Sequence, residues 1–148
     1  MAFHFPLQSV LHYRQSVEHQ QELRLRAANQ QVARVRHVID QIDSQIRQLQ
    51  IRGSQELETG TTSAELLFAL SSEALLLQQR LDTERDLLRW QALRDQQQNI
   101  FQQARQERET CETLRDHQLQ DHQRDTSRRE QRQLDDLFLL RRAYLRRG

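Results

Sequence analysis

A chain of 148 residues is long enough for one domain, but 36% apolar residues and 5% aromatics leave little for a deep globular core. Its 22 arginines (no lysine) and 21 acids nearly cancel, which excludes a whole-molecule binder of polyanions. A single cysteine, Cys111, excludes an internal disulfide framework and fits a reducing compartment.

The opening Met1, Ala2, Phe3 and His4 lack the basic segment and apolar core of a secretory signal. No apolar run approaches the length of a membrane span, so the expected location is the cytosol. Pro6 suits the first turn of a helix, where its missing N–H costs nothing. The first helix is expected over about residues 7–52. Leu25, Ala28, Val32, Val35, Ile39, Ile42, Ile46 and Leu49 alternate gaps of three and four. That period of 3.5 keeps one stripe facing a partner helix. Extending the stripe backwards meets Arg14, Glu18 and Gln21, so the early part reads as a weaker coil with its stripe offset to Val10, Tyr13 and Val17.

Gly53 and Gly60 predict a connection over about residues 53–62. Thr62, Ser63, Ala64 and Glu65 then read as a capping box that opens a second helix, about residues 63–146. No Gly or Pro interrupts it before Gly148. Leu66, Leu67, Phe68, Leu70, Ala74, Leu75, Leu77, Leu81 and Leu88 form a broad stripe, continued by Trp90, Leu93, Ile100, Ala104, Cys111 and Leu114. The expected fold is all-α, a single domain over residues 1–148. Its two long helices form an antiparallel coiled-coil hairpin. A fold near residue 57 sets Leu7 opposite residue 108 and leaves an overhang of roughly 40 residues on the second helix, counted at one residue per 1.5 Å of rise.

Chemistry-bearing patterns are sparse. Three scattered glycines cannot build a phosphate-cradling loop, and no two of the six histidines stand four apart on a helix. No catalytic, metal or cofactor residue is expected. The C-terminal segment is more informative: Leu134, Leu137, Phe138 and Leu140 sit among Arg128, Arg129, Arg132, Arg141 and Arg142. The helix dipole accounts for terminal arginines but not for an apolar cluster with no partner left in its own chain.

Two motifs resemble the flagellar export protein FliJ family. Phe3, Phe5, Leu7, Val10, Leu11, Arg14 and Glu18 are similar to its opening. Glu130-Gln131-Arg132-Gln133-Leu134-Asp135-Asp136-Leu137 resembles its closing E-Q-K-x-L-D-E pattern, with Arg132 for Lys and Asp136 for Glu. The resemblance implies a non-enzymatic coiled-coil stalk or adaptor of flagellar type III export. It implies a cytoplasmic location, peripheral at the inner membrane through partners. The implied partners are the hexameric export ATPase, the export gate protein FlhA and export chaperones. The ATPase-facing residues would be Arg128, Arg129, Arg132, Leu134, Leu137, Phe138, Leu140 and Arg141. By position, the gate-facing ones would be Ile42, Leu49, Phe68 and Leu75, although Ile42 and Leu49 also read as seam residues. The equivalent stalk of a virulence-type secretion system is the alternative. A nucleic-acid-binding or self-associating coiled coil is more remote, since the continuous basic face and stacking aromatics of a nucleic-acid binder are missing.

Overall fold

A computed structural model describes residues 2–148. It has two helices, α1 (Gln8–Thr59) and α2 (Ser63–Arg147), and no strand among the described residues. The all-α expectation therefore holds. The chain divides into two compact units: Gln20–Gln102, and the residues up to His19 together with Gln103–Gly148.

Within Gln20–Gln102, α1 does not stop at Gly53 as the sequence suggests. It runs on to Thr59, because one helical glycine costs only about 1 kcal/mol and good helix formers follow it. The chain turns at Gly60, whose φ of 95° lies in the left-handed region that glycine enters freely. The connection is thus three residues, 60–62. The capping box forms as expected: the Glu65 N–H donates to Thr62 Oγ1 at 3.2 Å, and the Thr62 N–H donates to Glu65 Oε2 at 3.4 Å.

The short turn lays the two helices side by side and antiparallel. Val32, Val35, Ile39, Ile42 and Ile46 are buried along α1, with Leu25, Ala28 and Leu49 half-buried at the seam's ends. The α2 residues half-buried opposite them are not the expected leucines. They include Ala69, Glu73, Leu76, Arg80, Leu87, Arg94 and Gln97, together with the expected Trp90. Several of these polar positions find partners across the seam. Gln50 Nε2 donates to Glu73 Oε1 at 2.9 Å, Arg80 Nε to Asp43 Oδ1 at 2.5 Å, and Gln97 Nε2 to Gln21 Oε1 at 2.7 Å. The bond to Asp43, followed by the charges of Asp43 and Glu84, raises the Arg80 guanidinium above its ordinary value.

In the other unit the same antiparallel pairing brings the chain's beginning against α2. Leu11 is fully buried and packs with Phe5 and Cys111, and Phe3 lies against them. Val10 and Tyr13, expected on the stripe, are exposed, because Leu11 takes the inward position. The Phe3 ring also meets that of His122, with centroids 5.6 Å apart. Arg14 pairs with Glu107. Glu18 pairs with Arg108, which reaches Glu112 as well at 2.6 Å. The hydrogen bond to Glu18 is the largest cause raising the Arg108 guanidinium, whose charge persists to far alkaline pH. The stabilisation from that shift is complete below the ordinary arginine value. It is lost only as pH rises through the raised one.

These pairs correct the expected register. Glu107 and Arg108 face Arg14 and Glu18 rather than Leu7, a shift of about two helical turns. The uncovered part of α2 is correspondingly shorter: every residue over 127–148 is exposed.

Three substitutions test these features. Gly53→Ala, where an added Cβ meets nothing within 4 Å, should stabilise by about 0.5–1 kcal/mol, whereas Gly60→Ala should destabilise by about 1 kcal/mol in urea unfolding. Arg108→Ala should lower stability by about 1–3 kcal/mol by leaving Glu18 and Glu112 without their shared cation.

Candidate functional site

Two surfaces carry the sequence-derived candidates. The first is the C-terminal segment of α2. With no α1 residue left to cover it, its helix shows every side to solvent. Leu134, Leu137, Phe138, Leu139, Leu140, Tyr144 and Leu145 are all 60–79% exposed. A contiguous apolar face of this kind is uncommon on a chain that works alone. Tyr144 belongs to it as fully as the residues that the motif highlights, whereas Leu139, about 100° round the helix from Phe138, is exposed on another side.

Arginines frame this face. Among the described residues, Arg128, Arg129, Arg132 and Arg141 make no ion pair with an acid of their own chain. Asp135 accepts a hydrogen bond from Gln131 at 3.0 Å instead. The guanidiniums are therefore available to carboxylates elsewhere, in the planar two-pronged geometry that arginine favours.

The second surface lies beside the turn between α1 and α2. A groove of about 550 Å³ is lined by Leu49, Arg52, Gly53 and Glu56 from α1 and by Ala64, Glu65, Phe68, Ala69 and Ser72 from α2. Leu49 and Phe68 meet in this groove, and Phe68 is 76% exposed. Ile42 does not join them. It is buried in the seam at 7% exposure, where its side chain packs between helices. Leu75 is exposed, away from the groove residues. The sequence pattern could not separate Ile42 from Leu75, because both fit an apolar helical stripe.

Among the described residues no group of three or more His, Cys, Asp or Glu side chains is placed to hold a metal ion. Cys111 is a buried free thiol in the Phe5 and Leu11 cluster, filling space as a small apolar side chain does. No described helix is long and apolar enough to cross a membrane.

Two long helices packed against each other, with no strand among the described residues, define an all-α helical hairpin. Compared with known families, residues 3–148 match the family model described as flagellar FliJ protein. The chain belongs to the FliJ family. Neither the curated proteins nor the solved structures compared with it gave a match. Family membership gives the chain a role in flagellar protein export and associates it with the export apparatus at the flagellar base.

The different burial of the two candidate sets has a measurable consequence. Ile42→Ala should cost about 2–4 kcal/mol in urea unfolding, whereas Leu137→Ala should change stability by less than about 0.5 kcal/mol.

Proposed function

We propose that this chain is a non-enzymatic stalk or adaptor of flagellar type III export. Its C-terminal face docks on the hexameric export ATPase, with Leu134, Leu137, Phe138 and Leu140 entering an apolar site. Arg128, Arg129, Arg132 and Arg141 pair with acidic residues around it. The observation that carries this reading is the exposed apolar face over residues 134–145, framed by arginines that have no acid of their own to hold. Burying such leucines and a phenylalanine favours association by about 1.5–3 kcal/mol per fully covered side chain, which a handful of contacts turns into useful affinity.

The groove beside the turn is the proposed contact for the export gate protein FlhA, through Leu49 and Phe68, with Leu75 exposed further along α2 outside the groove. Ile42 would support this contact only by holding the helices together. Export chaperones complete the proposed partners. The chain would work in the cytoplasm, held at the inner membrane face through these proteins.

Co-purification with the export ATPase of the same genome tests the reading. Removal of residues 128–148 should abolish binding. The pair Leu137→Ala and Phe138→Ala should weaken it by about tenfold or more, in line with two interfacial anchors. Wild-type affinity in the double variant would refute the assignment of this face.

A further inference from the structure

The chain's beginning is held to α2 by few contacts, and those contacts are its own. Over residues 2–19 only Phe5 and Leu11 are buried, in one cluster with Cys111, and Phe3 packs against it. The inward positions that follow on α1, Arg14 and Glu18, are charged, and no residue between Leu11 and Val32 is buried. Arg14 is held by Glu107, and Glu18 by Arg108, whose Nη1 also reaches Glu112 at 2.6 Å. A small apolar cluster is thus cut off from the Val32–Ile46 seam by charged and half-covered positions. A helix end with so few buried apolar contacts is the kind of segment that opens without the rest of the protein.

We propose that residues 2–19 form a strap that lifts from α2 as a unit, baring Cys111, while the Val32–Ile46 seam stays closed. The Phe5, Leu11 and Cys111 cluster closes the strap. The Arg14–Glu107 and Glu18–Arg108 pairs set how readily it opens, since lifting separates both at once. The side of α2 that the strap covers continues beyond it. Ala104 is buried, His122 meets the Phe3 ring, and Leu140 belongs to the uncovered C-terminal face. These three follow one another at intervals of 18 residues along one unbroken helix. That interval is about five whole turns, so they share one side of α2. A lifted strap therefore lengthens the uncovered side of α2 from Leu140 back towards Ala104, and a closed one keeps that stretch from any partner.

The single cysteine reads the strap directly. Modification of Cys111 by Ellman's reagent is followed in the full chain at increasing urea, beside global unfolding by circular dichroism. The Cys111 rate should change with urea by only a fraction of the slope of global unfolding, because that slope follows the surface exposed and the strap is a small part of the chain. Leu11→Glu, which holds the strap open, should raise the rate at zero urea by about tenfold or more. Arg14→Gln combined with Glu18→Gln should raise it by about tenfold, although neither residue belongs to the Cys111 cluster. Ile42→Ala, which weakens the main seam, should change it by less than about twofold. The proposal is overturned by a Cys111 rate that shares the urea slope of global unfolding and rises with Ile42→Ala. It is equally overturned by a wild-type rate already equal to that of Leu11→Glu, or by one indifferent to the double glutamine variant.

Discussion

Two helices share a single seam, and everything else about this protein depends on that limit. Each helix can turn only one stripe towards the other, and no third layer lies behind. α1 meets the limit with a run of β-branched residues, Val32, Val35, Ile39, Ile42 and Ile46, which are stiff and pack without a large entropy loss. α2 carries more apolar residues than one stripe can hold. Those that do not fit, including Leu67, Leu77, Leu81 and Leu88, stay in contact with water. Surplus apolar surface is thus an outcome of the architecture, and it is the raw material for partners.

Polar residues decide which α2 stripe faces inwards. Arg80 finds Asp43, Gln97 finds Gln21, and Glu73 finds Gln50. Arg108 gathers Glu18 and Glu112. A polar group at a seam is costly when unpaired and nearly neutral when paired, so such contacts penalise other registers more than they add stability. In the unit that holds the chain's beginning, Phe5, Leu11 and Cys111 form one cluster and residues 127–148 are fully exposed.

The FliJ family membership and this architecture agree in kind. In the reading proposed above, the protein works through exposed complementary surface more than through an enclosed pocket. The C-terminal face supplies apolar side chains and unpaired guanidiniums together. The groove at Leu49 and Phe68 supplies a concave apolar surface beside a tight turn. The C-terminal face takes no part in holding the helices, whereas the groove shares Leu49 and Ala69 with the seam.

The sequence by itself determined the class of fold, the α1 seam, the Thr62–Glu65 cap and the uncovered C-terminal face. Each depends on local spacing, and helix geometry converts spacing directly into position. Only the tertiary structure decided which face of α2 meets α1, since its apolar residues spread over several faces and periodicity alone could not rank them. It also decided that Leu11 rather than Val10 or Tyr13 points inwards, that α1 passes through Gly53, and that the helices pair two turns further along than a fold near residue 57 implies. These outcomes rest on contacts between residues as far apart in sequence as Glu18 and Arg108. Their partners become visible only when the chain has folded back on itself.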